Sequence, residues 1–222
     1  MTGRLQTRSG ALEYVVSGAG RPAIVLFNGA GMTLDGWRAL HPRMESLGTV
    51  VEWNRFGIEG SDSPGRIQSG AVVIASVREL LHYAGIEPPW LLVGHSVGAL
   101  YADLFARMHP DEVGAVLKVA PADLERVPRM NEDSIARSLG KVQQLPARAF
   151  RQNLHAELVA VARIAQEIEG AGAFPRDVPV AIVEPTRGHF PQLTEPDAVL
   201  DALERLVRRS RRSASASRGQ PA

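Results

Sequence analysis

The sequence predicts an α/β fold: a mostly parallel central sheet with helices on both faces, and a small helical lid. Three observations carry this expectation. Short continuous apolar runs alternate with segments of helical period, as buried parallel strands and their crossover helices require. Residues 90–101 read as a strand cut off by Gly94-His95-Ser96-Val97-Gly98 and followed at once by a helical pattern. Between Pro121 and Pro175 no strand pattern occurs, whereas 147–168 is rich in helix formers, with Leu154, Leu158, Val161, Ile164 and Ile168 at helical spacing.

Taken in order, 12–17 is a strand candidate ended by Gly18-Ala19-Gly20, which predicts a hairpin into the next strand. That strand, 23–27, is apolar throughout and ends at Asn28-Gly29-Ala30-Gly31. Thr33 is placed to cap a helix carrying Leu34, Trp37, Leu40 and Met44 on one buried stripe. A strand at 48–53, a Gly/Asp/Ser/Pro-rich loop at 54–65 and an amphipathic helix at 71–83 follow. After the 90–108 unit come strands at 114–119 and 178–183, then a helix at 197–207 with Leu200, Leu203 and Leu206 facing the core. The expected division is a core first part at 1–121, a helical lid at 122–175, the last core strand and helix at 176–209, and a disordered basic tail at 210–222.

The 222 residues suffice for one domain with a sizeable core. With 45% hydrophobic and 22% charged residues the composition is that of an ordinary soluble protein. A formal net charge of +1 argues against nucleic-acid and membrane partners, because binding phosphate needs a concentrated basic surface. The basic run at 208–212 belongs to the tail. The absence of cysteine removes disulfides, thiolate metal ligands and a cysteine nucleophile. No charged-then-apolar leader and no apolar run of about 18 residues is present, so a cytoplasmic location is expected. A small-molecule substrate is the expected partner, and oligomeric state is not legible.

Gly-x-Ser-x-Gly between a strand and a helix reads as a nucleophile elbow. The serine occupies a strained turn, so the residues two before and two after it must lack side chains for the backbone to pass. Gly94 and Gly98 meet that requirement, and the turn presents the Ser96 hydroxyl at the sheet edge. A tight turn without chemistry is the rival reading; the strand before and the helix after are independent requirements, and both are met. An activated serine needs a base. His189, in Arg187-Gly188-His189-Phe190 just after the last strand, has the setting for it. His41, His82, His109 and His155 fall on helices or at their ends, where solvated or capping roles are expected. His95 lies inside the elbow, its ring expected beneath the serine.

Four blocks resemble the α/β-hydrolase family in order and spacing, nearly to Arg209. They are Leu26-Phe27-Asn28-Gly29-Ala30-Gly31, Asn54-Arg55-Phe56-Gly57-Ile58-Glu59-Gly60-Ser61-Asp62, the elbow, and Gly188-His189-Phe190-Pro191-Gln192-Leu193-Thr194-Glu195-Pro196. The resemblance implies Ser96 as nucleophile, His189 as general base and then acid, and the N–H groups of Ala30 and Val97 as the oxyanion hole. It places Asn28, Gly29 and His95 beside the substrate and implies no metal or organic cofactor. Asn28 stands where the family usually has histidine. A larger departure is that the segment expected to carry the acid of the triad is missing, together with about one strand and one helix. Asp123, after the 114–119 strand, is the expected acid; Glu184, at the end of the last strand, and a dyad with no acid are its competitors. The implied reaction is hydrolysis of an ester, lactone or related acyl bond; aspartate at the elbow would instead have suggested a dehalogenase or epoxide hydrolase. The alternatives are a non-catalytic small-molecule-binding protein on a degenerate scaffold, or a cofactor-free lyase or perhydrolase.

Overall fold

The computed structural model describes residues 1–64, 69–123, 148–186 and 188–217. The middle of the expected lid (124–147), Arg187, the side chains of 148–155 and 213–217, and tail residues 218–222 lie outside the described set. The strands are β1 (Thr2–Thr7), β2 (Gly10–Ser17), β3 (Ala23–Phe27), β4 (Thr49–Trp53), β5 (Trp90–His95), β6 (Val113–Val119) and β7 (Val180–Val183). They form one sheet in the order β1-β2-β4-β3-β5-β6-β7, antiparallel from β1 to β4 and parallel from β4 to β7. The helices are α1 (His41–Leu47), α2 (Gly70–Tyr83), α3 (Val97–Met108), α4 (Arg148–Gly170), α5 (Pro191–Thr194) and α6 (Pro196–Ser217).

Side-chain alternation along the central strands divides the core in two. Val25, Phe27, Leu92 and Val116 face α2, α3 and α4, while Ile24, Leu26, Leu91, Val93 and Leu117 face α6 and the Trp37–Met44 region. Both faces are covered, which is why these strands are apolar without interruption. On β7 only one face is closed: Ala181 and Val183 join the α6 side, whereas Val180 and Ile182 are exposed. The reduction of the sheet is visible here, since β7 pairs directly with β6 and runs straight on to His189.

Several expectations need correction. Strand β2 makes no hairpin with β3; it pairs with β1, which the sequence reading did not anticipate, and with β4. The helix expected from Thr33 is two pieces, a 3-10 turn at Leu34–Trp37 and α1, because Pro42 in the first turn of α1 lacks the N–H that a continuous helix would use. Thr33 makes no side-chain capping bond. The described part of the 122–175 segment does not stand apart from the sheet, for Val161, Ile164, Ala165 and Ile168 of α4 enter the same core cluster as Phe27 and Phe105. Nor is the start of the basic tail irregular. Helix α6 continues to Ser217, and Arg211 donates to the carbonyls of Arg21 and Leu47.

Glu52 on β4 is buried, with His41 Nε2 3.4 Å away and one carboxyl oxygen lacking a hydrogen-bond partner among the described residues. Burial, reinforced by Asp35 and Glu45, pushes its pKa up to about 7 from 4.5. The folded state therefore binds the extra proton between these values, and this contribution to stability is present below pH 4.5 and is lost as pH rises through 7. Glu52→Gln should gain on the parent by up to about 3 kcal/mol between pH 4.5 and pH 8. Paired urea unfolding curves at the two pH values measure it.

Candidate active site

Strand β5 delivers the chain to Ser96, which stands at φ 53 and ψ −117, a conformation that non-glycine residues rarely adopt. Close packing holds it there. A Cβ on Gly94 would lie 2.5 Å from the Gly98 carbonyl oxygen, and one on Gly98 would collide with the carbonyl oxygens of Phe27 and Asn28. Ser96 also ties its own backbone to neighbouring segments: its N–H donates to Val119 (3.0 Å), and its carbonyl accepts from Ala99 (3.0 Å) and Ala122 (3.2 Å). At the first residue of α3, the Val97 N–H makes no hydrogen bond with another described residue.

From the other side comes the loop after β7. His189 Nε2 lies 2.9 Å from Ser96 Oγ. Gly188, at φ 74, supplies the left-handed turn before it, and Thr186 closes the loop by donating from its N–H (2.9 Å) and hydroxyl (2.6 Å) to Glu195. Beneath the pair, the His95 Nε2–H donates to the His189 carbonyl at 2.7 Å. The carbonyl can only accept, so the proton sits on Nε2 of His95, and its Nδ1 meets Met32 Sδ at 3.1 Å as a packing contact. Desolvation, with smaller contributions from the charges of His189 and Arg55, lowers the His95 pKa to about 4.

The loop after β3 forms the third wall. Arg55, buried just after β4, donates Nη1 to the Asn28 carbonyl (2.5 Å), Nη2 to the Gly29 carbonyl (2.6 Å) and Nε to Glu157 Oε1 (2.5 Å). The other Glu157 oxygen accepts the Gly31 N–H at 2.5 Å. Burial opposes the Arg55 charge, but the Glu157 carboxylate outweighs it and holds the guanidinium pKa above its ordinary value. The Tyr101 ring of α3 packs with its centroid 5.5 Å from the guanidinium carbon. Ala30, half-buried between these anchors, has an N–H that bonds to no described residue.

The structure thus brings together Ser96, His189, Val97, Ala30, Gly29, Asn28 and His95. Asn28 and His95 are buried, at 4% and 1% exposed. Asn28 Nδ2 donates to the Thr33 carbonyl (3.0 Å). Asp123 and Glu184 are exposed. Sequence reasoning missed Arg55 and Glu157, although a signal existed: Glu157 falls on the same helical stripe as Val161, Ile164 and Ile168. Among the described residues no group of three His, Cys, Asp or Glu could hold a metal ion, and no helix is long and apolar enough to cross a membrane.

This sheet, with a strained serine between β5 and α3 and a histidine on the loop after the last strand, is the α/β-hydrolase fold. Solved structures agree on the fold. An enol-lactonase from Burkholderia xenovorans superimposes with a TM-score of 0.68 at 15% identity, over 92% of this chain and 99% of its own. A mutant epoxide hydrolase from Vigna radiata gives 0.74 at 14% identity, over 94% of this chain and 98% of that one. Residues 74–163 match the serine hydrolase family, and a stretch of 114 residues, 50% of this chain, is 30% identical to 40% of the pimeloyl-[acyl-carrier protein] methyl ester esterase of Edwardsiella ictaluri. The chain therefore has the α/β-hydrolase fold with serine at its elbow, and the serine hydrolase match falls on residues 74–163. The matched stretches make up 13%, 16% and 40% of three curated relatives, so this chain spans less than half the matched relatives' length.

The lowered His95 pKa has a measurable consequence. A histidine buried neutral contributes stability that is full above its unfolded pKa of 6.5 and is lost as pH falls through about 4. His95→Gln keeps a donor for the His189 carbonyl but does not titrate. The parent should lose on the order of 3 kcal/mol more than this variant between pH 7 and pH 4, read from denaturant unfolding at both pH values.

Proposed function

We propose that the protein is a serine hydrolase that cleaves a carboxylic ester, lactone or related acyl bond through an acyl-enzyme on Ser96. The contact of 2.9 Å between His189 Nε2 and Ser96 Oγ, at an elbow with φ 53, carries this reading. His189 takes the hydroxyl proton as Oγ attacks the acyl carbon, and returns it to the leaving oxygen as the acyl–oxygen bond breaks. Water, deprotonated by His189 in turn, attacks the acyl-enzyme; the acid leaves, and the proton returns to Ser96. The N–H groups of Val97 and Ala30 receive the negative charge of the tetrahedral intermediates. The relative from Edwardsiella ictaluri, named as a methyl ester esterase, supports an ester as the first substrate class to test. A small-molecule substrate and a cytoplasmic location complete the proposal.

For Nε2 to accept the serine proton, His189 Nδ1 must carry its own, and a carboxylate can hold that tautomer. Asp123 is the proposed holder, because its neighbour Ala122 donates to the Ser96 carbonyl and so brings this segment beside the elbow. Glu184 shares the short stretch from β7 to His189 and would have to turn back on it.

Two measurements test these roles. A fluorophosphonate probe should label the parent at Ser96, and Ser96→Ala should abolish labelling and lower kcat on a p-nitrophenyl ester by several orders of magnitude. Retention of more than about a tenth of the activity would refute the nucleophile assignment. An unlabelled parent would favour a ligand-binding protein. Asp123→Asn should lower kcat far more than Glu184→Gln, by up to about 10⁴. The reverse order would move the acid to Glu184, and small losses in both would leave Ser96 and His189 as a dyad.

A further inference from the structure

We infer that Arg55, locked by Glu157, is a positioning residue that aims the Ala30 N–H at the oxyanion forming on Ser96. The inference rests on the reading of Ser96 as nucleophile. Its physical basis is the geometry of one peptide unit. In a planar trans peptide the carbonyl and the following N–H point in opposite directions. Arg55 Nη2 and the Met32 N–H (3.2 Å) both bind the Gly29 carbonyl, so they fix the direction of the Ala30 N–H that shares its plane.

The neighbouring peptides are fixed as well. Arg55 Nη1 holds the Asn28 carbonyl, and Glu157 accepts from Gly31, so the loop is gripped on both sides of Ala30 by one ion pair. Position 29 itself cannot carry a side chain. A Cβ on Gly29 would lie 2.6 Å from His95 Nδ1 and 2.9 Å from Met32 Sδ. The guanidinium suits the task because its rigid fork reaches two carbonyls and a carboxylate at once, which the single ammonium of lysine cannot do in the same geometry. A fully buried ion pair is also a poor device for stability alone, since desolvating two charges offsets most of their attraction. Side chains 102 positions apart are thereby committed to holding one loop.

Arg55→Lys tests this, with the double variant Arg55→Met, Glu157→Met as a second route if the lysine protein fails to fold. Folded protein is confirmed by near-UV circular dichroism, and active sites are counted by the final stoichiometry of fluorophosphonate labelling. The expected result is full labelling of Ser96, KM within about threefold of the parent, an unchanged shape of the pH profile of kcat/KM, and kcat per labelled site lower by about 10²-fold, the scale for a misplaced oxyanion donor. Faster hydrogen exchange at the Ala30 and Gly31 amides should accompany it. Unchanged kcat per labelled site in a folded variant would overturn the inference alone. Absence of labelling in the unaltered protein would overturn the reading of Ser96 and this inference with it.

Discussion

The site depends on the close approach of α3 to the end of β3. Gly98 lies against the carbonyls of Phe27 and Asn28, and this contact leaves Ser96 no ordinary backbone conformation to relax into. A residue held in such a region costs about 1–3 kcal/mol. The helix offsets it by burying Leu100, Leu104 and Phe105, each contributing roughly 1.5–3 kcal/mol. Asn28 is the shared element. Its carbonyl lies against Gly98 on one side and accepts from Arg55 on the other, so the elbow and the loop facing it are built on one peptide.

Most of the parallel sheet was legible because its strands must be apolar on both faces, and that leaves uninterrupted runs such as 23–27 and 91–93. Strand β1 was not, since Thr2–Thr7 alternates exposed and half-buried residues and is held mainly by pairing with β2. Ser96 and His189 could be read because their settings are local: glycines at fixed offsets in one case, a strand end in the other. Arg55 and Glu157 could not be paired from sequence, because their meeting depends on α4 packing against α3, and no local rule specifies which charged residues a tertiary contact will bury. The helical stripe of α4 was legible as a pattern but its packing partner was not, because periodicity reveals an apolar face without revealing what covers it.

Shortening of the sheet concentrates its effect on His189. Strand β7 ends at Val183, and the loop is then steadied by Thr186 on Glu195 and by His95 beneath the His189 carbonyl. His95 thus connects the two halves of the site, since it belongs to the strand that delivers the serine and holds the backbone of the histidine. Trp37 and Phe190 enclose its ring at centroid distances of 6.4 and 5.3 Å, which keeps it neutral and in one orientation.

The ion pair across the site also bears on the order in which the protein acquires its shape. The strand, elbow and helix of residues 90–108 are contiguous in sequence and can associate at little loop-closure cost. The Glu157 contacts with Arg55 and Gly31 span 102 and 126 positions and require α4 to dock first. On a ribosome, a nascent chain acquires its serine well before the carboxylate that locks the facing loop. The loop facing Ser96 can therefore take its final form only once the sheet and its covering helix have met.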